Sequence, residues 1–306
     1  MARWAWIITT PLMDLATTRN DRLRLAQELL DFVLDHLHYD PESLKRCALT
    51  SKSLLPTCQR HLFSTYQITK PNVAKLVKLF ALPASTDGPG EGATLGARVA
   101  NLLDTYTTDL ILTDHPGVVS GSAVEKAHFP GFKNVQRITF KGEDLGSAVI
   151  IPSFLKQTWA SHSSKITSVG FDFRTMCEKG VLESLYILPA TVEDVSLTCA
   201  KTKYTHSAAG AIREGIERNL LPGCSGLEVR QFNGTLKFRL TPETSHGVLL
   251  SAMLELGDLF KFRFKRINYR LAYRADIRHL ASLVDECKDT LEYLDIMVSS
   301  SRTYRM

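Results

Sequence analysis

Apolar positions fall into two patterns along this chain, one of helical spacing near the front and one of strand spacing over the last two thirds. Between Glu28 and His38, the apolar residues Leu29, Leu30, Phe32, Val33, Leu34 and Leu37 are interleaved with Glu28, Asp31, Asp35 and His36. Leu30, Leu34 and Leu37 fall on one helical stripe, with Leu29 and Val33 beside it. Asp40-Pro41-Glu42 then predicts a second helix start, because an Asp side chain accepts from orphan amides and proline suits the first helical position. Leu44, Cys47 and Ala48 carry the apolar face of that helix, and Leu55-Pro56 opens a third that ends near Phe63. A unit this small has only a marginal core of its own, so three short helices cannot enclose so many leucines. The surplus must pack on the rest of the chain or on a partner.

From about residue 105 the spacing changes to apolar residues at positions 1, 4 and 6 of a short window, the period-two core of a strand. The pattern occurs as Val135, Ile138, Phe140, as Ile166, Val169, Phe171 and as Val192, Val195, Leu197. Further copies are expected at Cys224, Leu227, Val229, at Leu259, Phe262, Phe264 and at Leu291, Leu294, Ile296, with a weaker one at Leu110 and Leu112. The fourth positions step by 28, 31, 26, 32, 35 and 32 residues, and helix-like stretches such as Ala208 to Leu220, Val248 to Leu256 and Ala275 to Cys287 fill the gaps. One strand plus one helix per step is similar to long leucine-rich repeats, although the asparagine usual in those repeats is mostly missing. A single copy cannot bury its apolar face, so copies would stack into a curved parallel sheet. An ordinary doubly wound α/β domain is the other arrangement of such strands.

The helical segment resembles an F-box. The resemblance rests on Leu25-Ala26-Gln27-Glu28-Leu29-Leu30, then Asp35-His36-Leu37-His38, Asp40-Pro41, Leu44-Lys45 with Cys47, Leu54-Leu55-Pro56 and His61-Leu62-Phe63. Ala26 stands where F-boxes usually have Pro, and Leu54 where they have Trp. The resemblance covers about 40 of 306 residues. With the repeat pattern, it leads to the expectation of an α+β/α/β chain: a three-helix F-box at 20–66, a helical connector with the Pro/Gly-rich loop at 67–104 and a curved, leucine-rich-repeat-like β-α solenoid with a parallel sheet at 105–306. The role it implies is docking on the Skp-type adaptor of a cullin-based ubiquitin ligase while the repeat array binds a target protein. Leu25, Leu29, Leu30, Val33, Leu34, Leu37, Leu44, Leu49 and Leu54 match the family's apolar positions, some to contact the adaptor and others to hold the helices together. A plain helical cap on a non-catalytic interaction scaffold is the alternative.

Composition narrows the setting. The chain is 44% hydrophobic with a net charge of +5, and its pI is near 8.8. That mild excess falls short of the clustered basicity of a nucleic-acid binder. Six cysteines at 47, 58, 177, 199, 224 and 287 lack paired spacing, so neither a disulfide framework nor a zinc module is expected and a reducing cytoplasmic or nuclear setting fits them. The apolar run Trp4 to Ile8 is too short for a membrane span and makes a poor signal peptide. Pro83 to Gly96 is rich in Pro and Gly and reads as a surface loop.

Motifs for chemistry are weak. Gly90-Glu91-Gly92 with Gly96 follows that loop rather than a strand and lacks a following Lys-Ser/Thr. Gly223-Cys224-Ser225-Gly226 has the wrong glycine spacing for a nucleophile elbow. His36 and His38 are two residues apart on a helix and diverge, so they read as solvated histidines rather than ligands with Cys58 and His61. No cofactor is called for, no nucleophile, base and orienting group converge, and the chain reads as a non-enzyme. One run points to binding: in Lys261-Phe262-Arg263-Phe264-Lys265-Arg266, alternation buries the phenylalanines and exposes Lys261, Arg263 and Lys265 on the sheet face. Arg137 and Lys141 on an earlier strand join them as candidates for an acidic or phosphorylated target, against the plainer reading of a solvated face.

Overall fold

A computed structural model describes residues 27–69, 72, 95–113, 132–146, 165–203, 208–217, 229–240, 247–271 and 276–298. Leu25, most of the Pro/Gly loop, Cys224 with its flanking glycines and Leu227, and the tail after Val298 lie outside them. The chain forms two compact units, the first ending at Leu62 and the second beginning at Phe63.

The first unit is built from α1 (Gln27–His36), α2 (Pro41–Thr50) and α3 (Leu55–Ser64). Its core is small: Leu34, Leu44 and Cys58 are buried, with Leu37, Cys47, Ala48, Leu54 and Leu62 packed against them. α2 starts as its sequence predicts, with Pro41 in the first turn and Asp40 as the cap. The Asp40 carboxylate accepts from the Ser43 amide at 3.2 Å and from the Ser43 hydroxyl at 2.6 Å. Polar side chains fasten α1 to α3. Thr57 donates to Asp31 at 2.6 Å, and His61 and Arg60 both meet Asp35, at 2.8 and 3.3 Å.

The second unit is an α/β structure. Its strands are β1 (Thr65–Ile68), β2 (Asp109–Thr113), β3 (Arg137–Leu145), β4 (Ser168–Cys177), β5 (Asp194–Lys203), β6 (Arg230–Phe232), β7 (Thr235–Leu240), β8 (Phe260–Phe262), β9 (Arg266–Leu271) and β10 (Tyr293–Val298). Between them run α4 (Leu95–Tyr106), α5 (Glu178–Tyr186), α6 (Ala208–Glu217), α7 (Gly247–Glu255) and α8 (Asp276–Glu286). Eight strands form one sheet in the order β1-β2-β3-β4-β5-β7-β9-β10, and β6 pairs with β8 separately. Among the described residues every pairing is parallel. The large sheet follows chain order from one edge to the other, without the reversal of a doubly wound sheet.

Register aligns the 1-4-6 pattern across the sheet. Leu110, Ile138, Val169, Val195, Leu236, Ile267 and Leu294 lie side by side, as do Leu112, Phe140, Phe171, Leu197, Phe238, Tyr269 and Ile296. Most of these side chains are buried against the helical side, with Phe140 stacked on Phe171 at 5.8 Å and Phe238 near Tyr269 at 5.6 Å. At the last strand they are not: Leu294 and Ile296 stay 40% and 42% exposed. The copies even share their hydrogen bonds. The carbonyl at position 2 of a copy accepts from the next two amides across the sheet, as Thr108 does from Gln136 and Arg137, Gln136 from Thr167 and Ser168, and Lys265 from Glu292 and Tyr293.

Three strands of the large sheet depart from the sequence expectation. β1 brings a copy, Phe63, Tyr66, Ile68, that precedes the predicted start near 105. At the copies expected around Val229 and Phe262, the large sheet uses β7 and β9 instead. Phe264 explains the second slip. It closes the window Leu259, Phe262, Phe264 and also opens the window Phe264, Ile267, Tyr269, and the later window is the one that pairs. The earlier run supplies β8, whose partner β6 brings Phe232 beside it. Phe232, Phe262 and Phe264 stack at 5.8 to 6.1 Å. For β7 the window opens on polar Asn233, so pattern alone passes over it.

Candidate functional site

α1 carries two apolar stripes. On the inner one, Leu34 is buried in the core of the helical unit, Leu37 packs half-buried against that core, and Leu30 is half-buried. The outer one consists of Leu29, Phe32 and Val33, which are 54%, 61% and 57% exposed. These side chains lie three and four residues apart, so they form one patch. His36 extends it, its ring 4.4 Å from that of Phe32. Of the other positions expected from the F-box resemblance, Leu44 is buried, Leu54 is half-buried and Leu49 stands 88% exposed. Covering one such side chain is worth about 1.5–3 kcal/mol, so the patch is unfavourable in water and favourable against a partner. Sequence spacing alone left Phe32 out of the candidate residues, because a helix apolar on two sides does not announce which side faces out.

The second surface is the open face of the large sheet. Helices bury the other face, so positions 3, 5 and 7 of each copy point to solvent. A shallow depression of about 340 Å³ crosses it, lined by Thr139, Lys141, Asp172, Thr198, Lys237 and Arg239 among others. Gly170 lies in its floor against the Thr139 side chain. Arg137 and Lys141 are here as expected, and each faces a carboxylate on the adjacent strand: Arg137 pairs with Asp109 and Lys141 with Asp172, both at 3.1 Å. Lys261, Arg263 and Lys265 are not on this face. Lys261 sits on β8 in the separate two-stranded sheet, and Arg263 and Lys265 fall between β8 and β9. The shifted window that displaced the strand also displaced its cations. In their place β7 and β9 present Lys237, Arg239, Arg266 and Arg270, all exposed. The alternating run Leu236-Lys237-Phe238-Arg239-Leu240 was the signal that could have found the first two.

Burial pushes the thiols of Cys58, Cys199 and Cys287 up from their ordinary range, whereas a nucleophilic cysteine needs the opposite shift. Among the described residues no group of three His, Cys, Asp or Glu side chains could hold a metal ion. His36 and His38 are exposed on and just after α1, and His61 is held by Asp35. Among the described residues no helix is long and apolar enough to cross a membrane.

Set against family models, curated proteins and solved structures, the chain finds no match in any of the three.

Proposed function

We propose that this chain is a substrate-recognition subunit of a cullin-based ubiquitin ligase, with the helical unit docking on an Skp-type adaptor and the sheet unit binding the target protein. The observation that carries the reading is the outer stripe of α1. Leu29, Phe32 and Val33 stay exposed while Leu34 and Leu44, from the same F-box-like pattern, fill the unit's core. A helix that is apolar on both sides is what an adaptor-docking module requires, one side to fold and one side to bind. The sheet unit supports the second half of the reading. Parallel strands in chain order support reading the β-α copies as a solenoid of the leucine-rich-repeat kind, with one sheet face left for a partner. The chain then contributes proximity, raising the local concentration of a target near transfer chemistry performed by other subunits.

Co-expression with an Skp-type adaptor tests this. The full chain is expected to co-purify with the adaptor, and Leu29→Asp/Val33→Asp is expected to abolish capture while circular dichroism and melting remain those of the wild type. Leu34→Asp is unsuitable as the test variant, because a charge in the core would unfold the unit. A folded wild-type chain that never captures the adaptor would leave the interaction scaffold unconnected to ubiquitin transfer.

A further inference from the structure

Charge is distributed unevenly over the open face of the large sheet. From β2 to β4, cations are set against carboxylates on neighbouring strands: Arg137 with Asp109, Lys141 with Asp172, and Arg174 with Glu143 at 3.5 Å. On β7 and β9 this compensation stops. Lys237, Arg239, Arg266 and Arg270 are exposed, and none of the four has an ion pair among the described residues. Thr235 pairs with Arg266 and Phe238 with Tyr269, so Arg239 and Arg270 follow directly after a paired position. Like charges facing each other across two strands destabilise a sheet. An anionic occupant would turn that repulsion into attraction.

The spacing selects the shape of the occupant. Lys237 and Arg239 are two residues apart on one strand, and so repeat every ~7 Å, with the adjacent strand ~5 Å away. An extended peptide with acids at alternate positions presents its carboxylates at the same ~7 Å repeat. Guanidinium groups add bidentate geometry to such contacts, and Thr198, opposite Arg239, adds a hydroxyl. The borders set the width. Asp194, on neighbouring β5, flanks the patch on one side with Asp172 one strand further out, and Asp295, opposite Asn268, flanks it on the other. A long polyanion crossing many strands would meet these carboxylates, whereas a peptide lying along β7 and β9 avoids them.

We propose that the face of β7 and β9 is the docking surface for an extended acidic segment of the target protein, with Asp or Glu at alternate positions. Its status as a target surface rests on the ligase reading above, while its chemistry does not. The test is fluorescence anisotropy with the full chain and a labelled ten-residue peptide alternating Ser and Glu. Saturable binding that weakens with added salt is expected, with none for the Ser/Gln counterpart. Arg239→Glu/Arg270→Glu is expected to weaken it by about tenfold or more, Arg239→Gln/Arg270→Gln by less, and Lys261→Glu/Arg263→Glu not at all. Four results would overturn the proposal: no binding, equal binding of the Gln peptide, wild-type binding by a normally melting Arg239→Glu/Arg270→Glu chain, or displacement by a ten-nucleotide thymidine strand at lower concentration than by unlabelled Glu peptide. Adaptor capture is measured alongside. Peptide binding without capture removes the ligase reading and keeps the surface, and capture without peptide binding does the reverse.

Discussion

Two leucines five residues apart show how position decides role. Leu34 is enclosed by the helical unit, while Leu29, on the same helix, is more than half exposed. Leu34→Ala or Leu44→Ala is expected to lower the unit's stability by about 2–4 kcal/mol, through lost transfer energy and the cavity left behind. Leu29→Ala or Leu49→Ala should stay within about 0.5 kcal/mol. Urea titrations followed by helical ellipticity would separate the two classes, and equal losses at Leu29 and Leu34 would contradict the assignment. Gly234 makes a comparable point in the sheet unit. A Cβ there would run into the Asp194 carboxylate and lie 2.9 Å from the Glu193 carbonyl oxygen. That carboxylate accepts the Thr235 amide at 2.5 Å, in place of the carbonyl that receives the second amide in other copies. Gly234→Ala is therefore expected to cost about 1–3 kcal/mol by overpacking, and an unchanged denaturation midpoint would show that the contact relaxes freely. Sequence spacing placed Leu34 on one stripe with Leu30 and Leu37 without saying which stripe faces in. It gave no sign of Gly234, whose constraint comes from residues distant in the chain, Glu193 and Asp194.

Elements differ in how much of their origin is local. α2 is fully local: an Asp, a Pro and a helical apolar face predict its start, and the structure places its cap there. Its pH response follows. The hydrogen bond from the Ser43 side chain, helped by the Ser43 amide, holds the Asp40 carboxyl below its ordinary 3.8. A carboxyl with a depressed folded value stabilises above the unfolded value, and that contribution is lost as pH falls through the folded one. Below about pH 4 the helical unit should therefore weaken, and Asp40→Asn, whose amide oxygen caps without titrating, should flatten that part of the profile. Parallel acid titrations of wild type and variant by circular dichroism would check it, and identical profiles would count against the cap. β7 and β9 are the opposite case. β9 joins after a slip of phase at Lys265-Arg266, from buried Phe262 and Phe264 to buried Ile267 and Tyr269, whereas β7 keeps the phase of Phe232 at Leu236 and Phe238. Only pairing with the previous strand, a long-range event, selects which segment joins the large sheet. The candidate cations moved with that choice, from Lys261, Arg263 and Lys265 to Lys237, Arg239, Arg266 and Arg270.

At the scale of the molecule, two units carry different surfaces. The helical unit leaves an apolar patch on α1, and the sheet unit leaves a polar face with balanced charge over β2 to β4 and unbalanced charge over β7 and β9. The parallel sheet and its helical companions were legible because buried strands repeat one apolar register, copy after copy. The proposed function rests on the pattern of leucines at 29 to 54, and among the described residues no group of three His, Cys, Asp or Glu side chains could hold a metal ion. The proposed function therefore turns on whether the outer stripe of α1 is a binding surface. Isothermal titration of a purified Skp-type adaptor into the full chain measures this most directly. A one-to-one complex is predicted for the wild type, with no detectable heat for Leu29→Asp/Val33→Asp. A wild-type chain that melts cooperatively yet gives no binding, or a double variant that binds as well as wild type, would contradict it.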